Sequence, residues 1–313
     1  MTIDKKFIDL FINVSAKAAL ASHYLVGKKD KISADKAAVD SMRIELNKLD
    51  MNGEIVIGEG ELDEAPMLYI GEKLGTLKGP YFDIAVDPLE GTNFAANNLP
   101  GALSVIAIAE KNNLFNAPET YMDKISSNIN EDGVVDLDFS IKKNIQNLAD
   151  FKNKKPENLK VCILDRPRHK SIIDELKNLK VNLKLITDGD VSGALLVTDE
   201  KYGVDLFLGI GGGPEGVLAA SALDAFNCNF QGRFIFKTDE DKLRARKMGI
   251  KELDKKYELK EIVSGDSIFC ATGITTGDLV SGILINNNEF TSETLITHKS
   301  SNLKKIIKLT QKI

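Results

Sequence analysis

The stretch from residue 161 to residue 226 constrains the fold most, because it repeats one pattern three times. Val161-Cys-Ile-Leu164 reads as a strand, followed by Arg166-Pro167-Arg168-His169 and a helix through about Leu179. Leu183-Lys-Leu-Ile186 is the second strand, followed by Asp188-Gly189-Asp190 and a helix through about Val197. Val204 to Ile210 is the third, followed by Gly211-Gly212-Gly213-Pro214-Glu215-Gly216 and a helix through about Phe226. Successive β-then-α units imply parallel strands with helical crossovers. Each strand runs at its carboxyl edge into a polar or glycine-rich cluster, and that edge is where open α/β sheets place ligands.

The first half has a different rhythm. Phe7, Leu10, Phe11, Val14 and Ala18 recur at helical spacing and predict one apolar stripe. After the charged break Lys28-Lys-Asp-Lys31, Ser33 is the expected N-cap of a helix through about Lys48. Its apolar face would carry Ala37, Ala38, Met42 and Leu46, and Asp35 would sit in its first turn. Glu54 to Gly58 predicts a strand running into Glu59, Glu61, Asp63 and Glu64, and Pro66 a helix that ends near Gly75. Phe82 to Asp87 predicts a strand stopped by Pro88, and Ala102 to Ala109 a central strand buried on both faces. The polar loop Lys152-Asn-Lys-Lys-Pro156 predicts a division into residues 1–155 and 156–313.

Composition removes several classes of function. The 313 residues carry 41 Lys+Arg against 46 Asp+Glu, a net charge of −5, which argues against a general nucleic-acid binder. Cys162, Cys228 and Cys270 cannot all pair and show no metal spacing, so they are expected as reduced core residues. The run Ala102 to Ala109 is far short of the roughly 20 residues that cross a bilayer. Asp9 and Lys17 interrupt any secretory signal, so a soluble, cytoplasmic protein is expected. His23, His169 and His298 are scattered; no Ser-His-Asp spacing emerges, and His169 is expected to be solvated. The lysines at 299, 304, 305, 308 and 312 are expected on a solvated face.

The chemistry concentrates in Asp87-Pro88-Leu89-Glu90-Gly91-Thr92. Two carboxylates, a hydroxyl and a glycine that admits close backbone approach are what a metal-bridged phosphate requires. Alone, the string reads rather as a turn with solvated acids. The second acidic group, Glu59, Glu61, Asp63 and Glu64, together with Asp35, favours a site. Like charges about 4 Å apart repel by about 4 kcal/mol per pair at a dielectric near 20, so convergence needs cations or protons. Oxygen ligation without histidine points to Mg²⁺ or Mn²⁺. Arg166 and Arg168 can fork onto a phosphate or form surface ion pairs. Asp188 and Asp190 can accept from sugar hydroxyls or simply open a helix. Glu215 is a further ligand or an acid complementing a helix dipole. Gly211-Gly212-Gly213 lacks the G-x-G-x-x-G order, which rejects dinucleotide binding there.

The ordered set resembles class II fructose-1,6-bisphosphatases of the GlpX type. The resemblance is carried by Ile57 to Lys73, Asp83 to Thr92, Asn116-Ala-Pro-Glu-Thr-Tyr121-Met, Arg166 to His169, Asp188-Gly-Asp190, Gly209 to Gly216 and Ala271 to Thr275. Their wider relatives are the lithium-sensitive, inositol-monophosphatase-like metal-dependent phosphatases. The resemblance implies an α/β protein with a layered α/β/α/β/α sugar-phosphatase fold. It implies a mixed sheet in an N-terminal metal-binding half and parallel βα units in a C-terminal substrate-binding half. It also implies hydrolysis of the 1-phosphate of fructose 1,6-bisphosphate in gluconeogenesis, with Mn²⁺ or Mg²⁺ as cofactor. By position, Asp35, Glu59, Asp87, Glu90 and Glu215 would hold metal. Glu90, Gly91, Thr92, Tyr121, Arg166, Pro167, Arg168, Asp188, Gly189, Asp190 and Gly212 would contact substrate, and Asp63 and Thr92 would be catalytic. A homodimer or homotetramer is implied, with an apolar edge near Ala271 to Ile285 as the candidate interface, and Arg166 stands where relatives often have lysine.

On this reading, water attacks the 1-phosphorus in line, Thr92 positions it and Asp63 takes the proton. Arg166 and Arg168 grip the 6-phosphate. The competing readings are a phosphatase preferring sedoheptulose 1,7-bisphosphate or another small phosphate monoester, and a catalytically silent sugar-phosphate sensor.

Overall fold

Three parallel strands with helical crossovers are present where the repeated pattern placed them. The computed structural model describes residues 2–58 and 67–313. In chain order the first elements are α1 (Lys6–His23), α2 (Lys31–Leu46), β1 (Asn52–Ile57), β2 (Lys73–Leu74), β3 (Tyr81–Glu90), α3 (Thr92–Ala96) and β4 (Leu103–Glu110). There follow β5 (Tyr121–Ser127), α4 (Ile141–Phe151), β6 (Lys160–Leu164), α5 (Lys170–Asn178), β7 (Asn182–Ile186), α6 (Asp190–Leu195), β8 (Leu206–Gly212) and α7 (Gly213–Ala225). The chain continues through β9 (Asn229–Ile235), α8 (Asp239–Lys247), β10 (Lys256–Glu258) and α9 (Leu259–Ile262). It ends with β11 (Ser267–Gly273), β12 (Leu284–Asn286), β13 (Glu289–His298) and β14 (Leu303–Lys312).

These elements form two compact units, Met1–Asn116 with Val263–Ile313, and Ala117–Ile262. The expected cut at 155/156 therefore falls inside the second unit. The reason is pairing: β5 lies between β8 and β9 and cannot be separated from them. The loop at 152–155 is only the connection from α4 towards β6.

Unit 1 is built on an eight-stranded mixed sheet of order β12-β13-β11-β4-β3-β1-β2, with β14 on the other flank of β13. As expected, β4 is central and buried along nearly its whole length, between β3 and β11. The helix α1 lies against β3, β4, β11 and β13 through Phe7, Phe11, Val14 and Ala18. The Phe7 ring meets Phe82 edge-on at 5.0 Å, a preferred aromatic geometry. A chain of buried hydroxyls, Ser15 to Thr272 at 2.8 Å and Thr272 to Thr294 at 2.7 Å, satisfies polar groups under that helix.

Three local expectations change in unit 1. Asp30, not Ser33, caps α2: its carboxylate accepts from the Ser33 N–H at 3.0 Å, so the helix starts earlier and Asp35 lies in its second turn. Pro88 does not stop β3, which runs on to Glu90 through a register irregularity between Asp87 and Glu90. Residues 67–74 form turns and β2 rather than a helix, while Pro66 lies outside the described residues. The Gly71 N–H donates to the Ile55 carbonyl at 2.7 Å and the Ile55 N–H to Glu72 at 3.0 Å, so this segment pairs with β1 instead of coiling. Nor is residue 271 at an edge, since β11 is paired on both sides. The lysines 304, 305, 308 and 312 do line the exposed strand β14.

Unit 2 has a six-stranded mixed sheet of order β10-β9-β5-β8-β6-β7. Within it β6 pairs parallel with both β7 and β8, while β5, β9 and β10 are antiparallel. Its core gathers Ile125, Leu148, Val161, Ile163, Leu176 and Leu206. Among the described residues no helix is long and apolar enough to cross a membrane.

Candidate functional site

In unit 2 the carboxyl ends of β6, β7 and β8 bring the expected groups to one sheet edge. Arg166 and Asp188 meet there, Nη2 donating to Oδ1 at 3.5 Å. Arg168 is exposed and donates from Nε to the Ile210 carbonyl at 2.8 Å, which fixes its stem against β8. Its guanidinium carbon lies 4.9 Å from the centroid of the Tyr121 ring. Pro167 opens the short 3₁₀ turn that carries Arg168 and His169.

His169 corrects its expectation, for it is fully buried. Its Nδ1 bonds the Leu164 carbonyl at 2.7 Å, and its Nε2 accepts from the Ile210 N–H at 2.8 Å. Those partners define the neutral ring protonated on Nδ1. Burial, with Arg168 nearby, holds its pKa below the usual imidazole value, although the bond to the Leu164 carbonyl and the Asp190 carboxylate oppose this. The ring thus clamps the end of β6 to β8, under the arginine loop. Gly209 makes room for it: its φ of 140° suits glycine, and a Cβ there would lie 3.1 Å from Nε2.

Asp190 opens α6 after Gly189, whose φ of 82° is left-handed. Its Oδ2 accepts from the ammonium of Lys124 on β5, which also donates to the Gly212 carbonyl at 2.7 Å. Lys124 is only 1% exposed. Buried lysines persist when paired, and this one ties the middle of β5 to the start of α6 and the end of β8. Sequence reasoning missed it. The only signal is a lysine in a strand among Met122, Ile125 and Ser126, and nothing local names its partner.

Glu215 stands in the first turn of α7. Burial pushes its carboxyl above the usual range; Lys124 opposes this, and Asp190 and Asp188 add to it. Both carboxylates press on the glycine run. A Cβ on Gly212 would overlap the Glu215 carboxylate, and one on Gly211 would overlap that of Asp190. The glycines therefore admit two acids against the strand.

In unit 1, Asp87 and Glu90 flank the irregularity in β3, with Asp87 half-buried and Glu90 3% exposed. Gly91 turns the chain with a φ of 78°, and Thr92 begins α3, as expected. Asp35 is half-buried on α2, which packs against β3. Glu59, Glu61, Asp63 and Glu64 lie outside the described residues. Among the described residues, no three His, Cys, Asp or Glu side chains form a metal-holding group. The chemistry of the donor set still fits a hard divalent cation, because every expected ligand offers carboxylate oxygen and none sulfur or imidazole.

Elsewhere, His298 is buried, with Nε2 3.1 Å from Asp266 Oδ2 and Nδ1 2.9 Å from Ser301 Oγ. Spacing alone did not reveal this constellation. Asp266 also accepts from the Ile3, Ser267 and Ser300 N–H groups, so it ties chain segments together. Cys162, Cys228 and Cys270 are all buried, as expected.

Residues 6–311 match the family model described as bacterial fructose-1,6-bisphosphatase, glpX-encoded. Fructose-1,6-bisphosphatase 1 class 2 of Escherichia coli strain K12 is 42% identical over 311 residues, covering 95% of this chain and 92% of that protein. A Synechococcus protein named D-fructose 1,6-bisphosphatase class 2/sedoheptulose 1,7-bisphosphatase is 39% identical, covering 96% and 93%. Among solved structures, an IMPase from Thermotoga maritima is 14% identical, with a TM-score of 0.34 over 62% of this chain and 72% of that one, a likeness that carries no argument.

Proposed function

Because the chain belongs to the family of bacterial, glpX-encoded fructose-1,6-bisphosphatases, we propose how its residues divide the work of that reaction. The protein is a class 2 fructose-1,6-bisphosphatase, a phosphoric monoester hydrolase of gluconeogenesis that yields fructose 6-phosphate and phosphate. The carrying observation is the family match over residues 6–311. It sets aside the silent sensor.

Asp35, Glu59, Asp87, Glu90 and Glu215 would hold the cations, Mn²⁺ or Mg²⁺. Such ions, when bound, neutralise phosphate charge and make hydroxide accessible near neutral pH. The chain's own groups do the rest. Thr92 offers a hydroxyl that positions the attacking water, and Glu90 and Gly91 shape the same turn beside the phosphate. A threonine hydroxyl is too weakly basic to keep the proton, so Asp63 accepts it. Arg166 and Arg168, turned by Pro167, take the 6-phosphate as forked donors. Tyr121 packs by the sugar, while Asp188, Gly189, Asp190 and Gly212 face its hydroxyls. Lys124 supports this edge by holding Asp190 and the Gly212 carbonyl. The same reading carries a cytoplasmic homodimer or homotetramer.

Phosphate release should be measured with Mn²⁺ or Mg²⁺ over fructose 1,6-bisphosphate, sedoheptulose 1,7-bisphosphate, an inositol phosphate and a nucleoside 3′,5′-bisphosphate. The expected result is preference for the fructose ester, abolished by a chelator and restored by Mn²⁺. Full turnover in chelator would overturn the metal assignment. Comparable turnover of the seven-carbon ester is the second reading, favoured by the doubly named Synechococcus relative.

A further inference from the structure

We propose that Lys237 is a third cationic arm of the distal-phosphate grip and makes the site discriminate doubly phosphorylated sugars from monophosphates. This rests on the assignment of Arg166 and Arg168 to that phosphate. The ammonium of Lys237 lies 4.6 Å from the centroid of the Tyr121 ring, the ring that the Arg168 guanidinium approaches at 4.9 Å. Two cations thus share one aromatic side chain that is 39% exposed. Among the described residues, neither cation forms a salt bridge with a carboxylate. Attraction to a ring quadrupole holds each in place without cancelling its charge.

The backbone delivers Lys237 deliberately to this spot. Tyr121 opens β5 opposite Ile235 at the end of β9, and Thr120 Oγ1 donates to the Ile235 carbonyl at 2.7 Å. Lys237 follows two residues later, at the entry to α8. There the Asp241 carboxylate accepts from the Lys237 N–H at 3.1 Å and from the Thr238 N–H at 3.0 Å. The Asp241 carboxylate is therefore committed to capping, Asp239 pairs with Lys242 at 3.0 Å, and the Lys237 side chain lies against the ring. A phosphate dianion has enough oxygens to take a planar fork from arginine and a point charge from lysine together. A lone surface lysine would explain none of this convergence.

The test compares Lys237→Met and Lys237→Arg with the wild-type enzyme, all Mn²⁺-loaded, on fructose 1,6-bisphosphate and on fructose 1-phosphate. The second substrate keeps the bond to be cut and lacks the distal group. For Lys237→Met, KM for the bisphosphate should rise about tenfold with kcat within twofold, the scale of one charge-assisted bond. Its kcat/KM on fructose 1-phosphate should not move, and Lys237→Arg should recover most of the loss. An unchanged KM, or equal losses on both substrates, would overturn the role of Lys237 while leaving the enzyme's function standing. A wild-type enzyme inert towards the bisphosphate would instead bring down the functional reading and this role with it.

Discussion

At the scale of single residues, Gly212 separates packing from catalysis. Its φ of −67° and ψ of 144° are open to any residue, so alanine there strains no backbone. What the added methyl displaces is the Glu215 carboxylate. Gly212→Ala should therefore lower kcat/KM by roughly 100-fold, about 2.7 kcal/mol of transition-state stabilisation, with little change in melting temperature. Steady-state kinetics beside a thermal melt checks both. An unaltered rate would remove Glu215 from the machinery. Residue types were legible here and partners were not. The sequence displays Asp190, Glu215 and three glycines, but only folding shows that the glycines admit the acids and that Lys124 bonds one of them. His169 shows the same limit. Beside two arginines it reads as solvated, yet its two ring nitrogens are consumed by the backbone of β6 and β8.

At the scale of elements, the amino ends of β6 and β8 depend on one acid. Asp205, just before β8, accepts from Lys152 at 2.8 Å and Lys154 at 3.1 Å, and from the Lys160 N–H at 2.9 Å where β6 begins. Burial pushes its carboxyl upward, but the bonds from Lys152, Lys160 and Lys154 outweigh that and hold it below the usual range. A depressed acid stabilises the fold above its unfolded pKa, and that contribution fades as pH falls through the folded value. Asp205→Asn should cost about 1–3 kcal/mol at pH 7, since the lysines lose a charged acceptor. Urea titrations should show the gap to wild type narrowing as the pH drops below the unfolded value near 3.9. A gap that is constant with pH would refute the assignment. Elements with a strong period were readable, as β4 and the three βα units show. The segment after Pro66 was not: its composition suits a helix, but hydrogen bonds with Ile55 compete and win.

At the scale of the whole molecule, the chain leaves unit 1 after Asn116 and re-enters it at Val263. A linear scan has no signal for this, because β11 finds β4 across more than 150 residues and only tertiary pairing specifies it. Unit 2 owns its sheet and its apolar core, so a fragment of residues 117–262 should unfold cooperatively in urea with helix and strand signals in circular dichroism. A fragment of residues 1–116 should not, since β4 is buried against β11. Featureless spectra from the first fragment would show that the units are not energetically separable.

The interleaved order has a price in time. As the chain emerges from a ribosome, the guest body can finish while its host still waits for β11 and β13. Throughout that interval the apolar flank of β4 has no native neighbour, which makes the nascent host the natural client of a chaperone and the vulnerable stage of this enzyme's life.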